Sequence, residues 1–309
     1  MTVHQLRIFL TVAKCRSYTR AAEELYLSQP AVSIQIRELE QAIGAPLFER
    51  AGRNILLTDA GQALLPYAQR VHQLLDDAKM VMEELQGLKR GRITLAAVST
   101  AGAYVLPPIL GLFQKAHPGI AVSLEVTNRS TLRHRLLQNE VDLVLMGRPP
   151  EGIPHVAEPF LPEELVVIGA PSHPLARARR IPVERLAREV FIQREVGSGT
   201  RLAAEEFFRD QKADIQSSFE LGDNSAVKEA VAAGLGVAVL HRRAVQLDVS
   251  LKRLVVLDVQ GFPLKREWHI VHRKEKQLSQ AALAFKTFLL TSAEEVLAPT
   301  KHRGRDTRQ

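Results

Sequence analysis

The chain reads as an α/β protein in three successive parts: a small helical domain closed by a hairpin, a long pairing helix, and a two-lobed α/β remainder. Three observations predict this. Apolar residues recur at spacings of three and four through the first 58 positions, ending in a Gly52-Arg53-Asn54 turn. A seam at alternating spacings of four and three then runs from Leu64 to Leu85. From Arg92 onward, β-rich runs alternate with helical ones. A length of 309 residues accommodates more than one core.

In the first part, Leu6, Phe9, Leu10 and Ala13 mark one buried helix face. After a break at Arg16-Ser17-Tyr18-Thr19, either Thr19 or Ser17 caps a second helix carrying Ala21, Ala22 and Leu25. A Leu27-Ser28-Gln29 turn leads to a third helix with Pro30 in its first turn, where the missing N–H is harmless. Its buried stripe is Val32, Ile36, Leu39 and Ile43, and Pro30, Ser33, Ile34 and Arg37 face the other way. Gly44-Ala45-Pro46 ends it. Phe48 to Arg50 and Ile55 to Thr58 form a hairpin, the wing of a winged helix-turn-helix.

A helix then spans about Asp59 to Leu88, with Pro66 near its start. Its seam of Leu64, Ala68, Val71, Leu75, Ala78, Met82 and Leu85 either pairs with a second copy or lies on its own domain's core, and pairing is the reading adopted. In the remainder, strands at Ile93–Val98, Ile120–Val126 and Val141–Met146 alternate with helices around Phe113 and Leu132, a βαβαβ pattern that predicts a parallel sheet. Further strands are expected at Leu165–Ala170, Val190–Gln193, Ile215–Leu221, Gly236–Leu240, Leu254–Leu257 and Trp268–His272, and a last helix at Gln277–Leu290. The resulting organisation is 1–58, helical domain; 59–90, pairing helix; 91–161 with 266–292, first lobe; 162–265, second lobe; and 293–309, a disordered basic tail.

Composition excludes several classes. With 46% hydrophobic and 24% charged residues the chain is an ordinary globular protein. Its single Cys forbids an internal disulfide and suits a reducing cytoplasm. Polar Thr2, His4, Gln5 and Arg7 interrupt the N-terminus, and no apolar run approaches the roughly 18 residues of a membrane span, so export and membrane insertion are disfavoured. The net charge of +7 hints at a polyanionic partner, but residues 1–91 hold 11 basic and 10 acidic side chains. Placement therefore matters more than the total.

Short polar and cationic side chains near the start of a helix suit base edges in the major groove, with neighbouring cations holding phosphates. The third helix offers Gln29 and Ser33 for base edges, Arg37 for a guanine or a phosphate, and Ile34 for a thymine methyl. Arg50 and Arg53 on the wing reach either the minor groove or the backbone. Phe9, Ser17–Leu25, Ser28–Ser33, Ile36, Leu39-Glu40, Gly44, Leu47–Arg50 and Leu57–Gly61 closely resemble the N-terminal domain of LysR-type transcriptional regulators. The resemblance implies a winged helix-turn-helix on promoter DNA, a dimerising linker helix, and an effector domain similar to periplasmic solute-binding proteins. It further implies a homodimer that assembles into a tetramer, RNA polymerase as a partner, and no cofactor, metal or catalytic residue. Carried over by position, the family's base- and phosphate-contacting sites fall on Gln29, Pro30, Ser33, Arg37 and Arg53, and Thr19, Ile34 and Arg50 complete the expected DNA contacts. One departure is Ile34-Gln35, where many members carry a polar or basic residue after the serine.

For the α/β remainder, an effector site is expected in the interlobe cleft, at strand ends and helix starts. Val98-Ser99-Thr100-Ala101-Gly102 either caps a helix or faces the cleft. Gly197-Ser198-Gly199-Thr200-Arg201 is either a plain loop and cap or an anion receptor in which the arginine binds bidentately. The resemblance places Ser99, Thr100, Thr127, Asn128, Arg148, Ser198, Thr200 and Arg201 along the cleft, and the two arginines point to an anionic effector, a phosphorylated sugar or a carboxylate. Asn224 is a cap or a further cleft residue. Gln5–Phe9, Arg194–Arg201 and Ala226–Leu240 are similar to regulators of carbon-fixation (RuBisCO) operons, which implies sugar phosphates or a pyridine nucleotide as effectors.

Two other classes compete. An enzyme lacks support because the chain has no Gly-x-Gly-x-x-Gly after the first α/β strand, no phosphate-binding loop ending Gly-Lys-Ser/Thr, and no Gly-x-Ser-x-Gly turn. A solute-binding transport protein fits residues 92–290 alone, and the N-terminal domain and absent signal peptide oppose it.

Overall fold

The computed structural model describes residues 1–51, 54–85, 91–215 and 217–298, which fall in two compact units, Met1–Leu88 and Lys89–Gln309. Arg53, and the expected tail from 299 onward, lie outside the described residues.

In the first unit, local chemistry sets each boundary. Helix α1 (Val3–Cys15) opens with a capping box: the Gln5 amide N–H donates to the Thr2 hydroxyl at 3.2 Å, and the Thr2 amide N–H donates to Gln5 Oε1 at 2.9 Å. Helix α2 (Tyr18–Leu25) is capped by Ser17, which leaves Thr19 inside its first turn. Helix α3 (Gln29–Ile43) is capped by Ser28, has Pro30 in its first turn, and stops at Gly44 in the left-handed region, φ 83°. The hairpin pairs β1 (Phe48–Ala51) with β2 (Asn54–Leu57) so that Arg50 opposes Ile55. Helix α4 (Asp59–Leu85) starts where the Gly61 amide N–H donates to the Thr58 hydroxyl at 3.1 Å. Gly61 has no substitute there, because a Cβ would stand 2.2 Å from the Leu47 carbonyl oxygen.

These elements enclose Ile8, Phe9, Val12, Val32, Ile36 and Leu39, with Phe48 packed on Phe9 at 5.3 Å between ring centroids. Ile43 departs from its expected place in the stripe. It is the last residue of α3, beyond the packed turns, and is exposed. Along α4, Ala68 is fully buried and Leu64 half-buried against this core, whereas Val71, Leu75, Ala78 and Met82 are exposed.

The second unit is built on one seven-stranded sheet. Strands β3 (Gly91–Val98), β4 (Ile120–Thr127) and β5 (Leu143–Met146) are parallel, with β3 in the middle, as the βαβαβ pattern predicts. A π-helical turn (Ala101–Val105) and α5 (Leu106–Ala116) connect the first two strands, and α6 (Arg129–Leu137) connects the next two. The sheet as a whole is mixed, which corrects the expectation of a parallel one. The long β6 (His155–Gly169) and β11 (Leu264–Arg273) run antiparallel to each other, and β11 is antiparallel to β5. The chain leaves the first lobe on β6 and returns on β11, so the two must run in opposite directions.

The start of β6 went unread because Pro159 and Pro162, with Glu158, Glu163 and Glu164, break the apolar run. The far end of β6 pairs with β9 (Ala238–His241) and β10 (Val255–Val256). Strands β7 (Phe191–Arg194) and β8 (Ser217–Leu221) are parallel, and a bridge from Phe191 to Val237 joins them to the segment before β9.

Each lobe buries both faces of its sheet. In the first, Phe113, Trp268 and Phe285 lie in one layer and Leu132, Val144 and Val271 in the other. In the second, Phe191, Phe208 and Val237 are set against Val227, Val231 and Leu240. Helices α7 (Val183–Leu186), α8 (Gly199–Asp210), α9 (Asn224–Ala232) and α10 (Arg242–Ser250) cover the second lobe. Helix α11 (Gln280–Leu297) covers the first and reaches five residues into the segment expected to be tail, because Leu289 and Ala293 continue its buried stripe. No helix among the described residues is long and apolar enough to cross a membrane.

Candidate DNA interface and ligand cleft

On the first unit, α3 presents Pro30, Ile34 and Arg37 on one exposed face, with Ser33 half-buried beside them. Gln29 stands one turn before Ser33 and donates its Nε2–H to the Ser33 hydroxyl at 2.7 Å, so the two polar groups are already aligned as a pair. Ile34 is 51% exposed, a large apolar side chain held in solvent at the centre of a polar face. Thr19 on α2 and Arg50 on β1 are exposed as well. Three acids of this unit have partners of their own. Glu40 accepts from the Leu47 amide at 2.8 Å, Glu24 pairs with Lys14 at 2.7 Å, and Glu38 accepts from Gln5 at 3.2 Å.

On the second unit, a cavity with about 690 Å³ of empty space opens between the lobes. Six of the eight expected effector residues line it: Ser99, Thr100, Asn128, Arg148, Ser198 and Thr200. Two do not. Thr127 ends β4 away from the cavity, and Arg201 turns to the opposite side of α8, where it donates to Glu205 at 2.7 Å, Glu220 at 2.6 Å and the Arg194 carbonyl at 3.1 Å. The reading of Arg201 as an anion receptor is thus corrected. Its hydrogen bond to Glu205 raises its pKa and, reciprocally, its guanidinium holds Glu220 below the usual carboxylate range.

The arginines in the cavity are others. Arg194 is buried, chelated by Glu195 at 2.8 and 3.0 Å, and donates to Asn224, which in turn donates to the Thr100 hydroxyl at 3.0 Å. Asn224 is therefore an interlobe bridge and not a cap; Asp223 caps α9. Arg148 crosses the mouth to Glu206 at 2.6 Å, with Arg266 3.6 Å from the same carboxyl group. Among the described residues, Arg129, the first residue of α6, donates only to the Pro149 carbonyl at 3.4 Å, and its buried Nε has no partner. Ser198 makes no side-chain cap to α8, so the first-turn N–H groups of that helix stand at the cavity without a side-chain acceptor. Gly197, at φ 90°, brings its loop so close to α6 that a Cβ would stand 3.1 Å from Ser130 Oγ.

Residues 3–62 match the family described as bacterial regulatory helix-turn-helix protein, lysR family, and residues 86–294 match the LysR substrate binding domain. The chain belongs to the LysR family of transcriptional regulators. Among its LysR relatives is the RuBisCO operon transcriptional regulator of Allochromatium vinosum, 47% identical over 95% of this chain and 97% of that one. A second is the transcriptional activator CmpR of Synechocystis sp., 43% identical over 96% and 97%. A solved structure, the Synechocystis PCC6803 CcmR regulatory domain in complex with 2-PG, is 41% identical over 66% of this chain and 98% of that one, with a TM-score of 0.64.

Against this LysR frame, sequence reasoning missed Arg129, Glu163, His241, Arg266 and Trp268, all of which line the cleft. Arg129 follows Asn128 at a helix start and had a local signal. The other four lie on the crossing strands or on β9, more than a hundred residues from the Ser99 segment in three cases and more than sixty in all, with no motif to join them.

Proposed function

We propose that this LysR-type regulator controls a carbon-fixation operon, reading promoter DNA through α3 and the wing and answering to a small phosphorylated carboxylate in the interlobe cleft. The observation that carries the effector reading is Arg129, a cation without a carboxylate partner among the described residues, placed beside the uncapped first turn of α8. A phosphate or carboxylate satisfies both. The regulatory domain whose structure holds 2-PG has 41% identity to this chain, which favours that chemical class. On the DNA side, the contacts are Thr19, Gln29, Pro30, Ser33, Ile34, Arg37, Arg50 and Arg53. The chain acts in the cytoplasm by binding rather than by catalysis, as a homodimer through the exposed seam of α4 that assembles into a tetramer and contacts RNA polymerase.

Isothermal titration of the full-length protein with 2-phosphoglycolate tests the effector. Saturable binding is expected, with glycolate, which lacks the phosphate, at least about tenfold weaker, and Arg129→Gln weaker by about tenfold, the value of one charge-assisted hydrogen bond. Binding of an uncharged or cationic metabolite in preference to both anions contradicts the reading.

A further inference from the structure

Behind the cleft, on the other side of a partition formed by Thr100, Glu163, His241 and Trp268, lies a second cavity open to solvent, with about 1140 Å³ of empty space. We propose that it is a second ligand site, for a small aliphatic carboxylate whose head group pairs with Arg243 and whose tail lies along Val245, Val249, Val256 and Leu297.

The charges select the head group. Of the two carboxylates in the wall, Glu164 is paired with Arg242 at 2.5 Å, and Glu163 faces His241 with Oε2 and Nδ1 3.0 Å apart. Arg243 has no such partner among the described residues: it is half-buried, donates to the Leu297 carbonyl at 3.1 Å, and burial pulls its pKa down. A partly desolvated guanidinium with donors to spare is stabilised by an anion. The backbone adds to this, since His241 stands at the N-cap of the nine-residue α10 without capping it by its side chain. Within the partition, Glu163 Oε2 and His241 Nδ1 stand 3.0 Å apart as a pair in residues only 9% and 8% exposed, so Glu163 is already engaged. Apart from Gln246, the rest of the lining is apolar and favours an apolar tail over a second charge. The site differs from the effector cleft in its cations, Arg243 against Arg129, and shares with it only the partition.

Trp268 is the one tryptophan of the chain and stands in the partition, stacked on His241 with ring centroids 5.0 Å apart, so its emission reports on the site directly. Hexanoate is titrated into the full-length protein while Trp268 fluorescence is followed. A saturable change is expected with half-saturation near or below about 1 mM, weakened about tenfold or more in Arg243→Gln, retained in Arg243→Lys, and unaltered in Arg129→Gln. Hexanol, of the same length without the charge, should bind at least about tenfold more weakly. The proposal is overturned by a non-saturable response, by equal binding of hexanol, or by a response that Arg129→Gln abolishes and Arg243→Gln leaves intact, which would place the ligand in the cleft. Circular dichroism of each variant separates lost binding from lost structure.

Discussion

Arg37 is exposed on α3 with Ser33 half-buried beside it, and the proposed DNA interface predicts a measurable share of affinity for each. Arg37→Ala or Ser33→Ala should cost about 1–3 kcal/mol per lost base contact in a fixed-salt titration, whereas Arg50→Ala should reduce the salt dependence by about one counterion and weaken all sequences alike. Unchanged binding in all three would remove α3 and the wing from the interface. Ile34→Gln should alter preference at one base position, through loss of a thymine-methyl contact. His272 makes a separate prediction. Burial lowers its pKa; its Nδ1 is 2.9 Å from the Arg273 carbonyl and its Nε2 is 3.4 Å from Lys286 Nζ, with Glu158 and Lys276 nearby. A neutral ring that donates from Nδ1 and accepts at Nε2 fits these neighbours. Because the folded pKa is below the unfolded one, stability is fully present above about pH 6.5 and falls as pH drops through the window beneath it. His272→Gln should flatten that part of a urea-denaturation series, and an unchanged slope would assign the acid sensitivity elsewhere. At this scale the sequence was partly legible. Thr100, Asn128, Ser198 and Thr200 sit at strand ends and helix starts, where position alone marks them. The side on which Arg201 emerges depends on Glu205 and Glu220, and the Glu163–His241 pair exists only once β6 and β9 are paired.

Among the elements, α4 has two characters. Its first turns close the core of the first unit through Leu64 and Ala68, while Val71, Leu75 and Met82 continue the same seam into solvent. An apolar seam left exposed over several turns is a helix-pairing surface. The double variant Leu75→Glu, Met82→Glu should lower the mass measured by light scattering from dimer or tetramer toward monomer while leaving the helical content of the first unit in place; an undiminished mass would assign oligomerisation to another surface. The N-terminal helices were readable because their caps, Thr2, Ser17 and Ser28, and their apolar spacing act within a few residues. Strand β6 was half-hidden because prolines and glutamates that normally end strands are tolerated where the chain passes between two lobes, and the antiparallel return on β11 has no local signature at all. The physical distinction is range: capping and periodicity are local, pairing across more than a hundred residues is not.

For the whole molecule, the net charge of +7 is less informative than its placement. In the first unit, Arg37 stands exposed on α3 and Arg50 on β1. In the second, four arginines line the cleft, of which Arg194, Arg148 and Arg266 have carboxylate partners and Arg129 has none among the described residues. The lobes are joined across that cleft by Asn224 to Thr100 and by Arg148 to Glu206, contacts that a bound anion near Arg148 and Thr100 would rearrange. The proposed mechanism couples ligand occupancy to lobe geometry, and if that coupling reaches the DNA, linkage requires DNA binding and effector binding to alter each other's affinity equally. The most direct test is a nuclease footprint of the full-length protein on the DNA upstream of its own gene, with and without 2-phosphoglycolate at a concentration that calorimetry shows to be saturating. A footprint that shortens or shifts when the ligand is added, and that fails to respond in Arg129→Gln, is the predicted result; an identical footprint with the cleft fully occupied would contradict it.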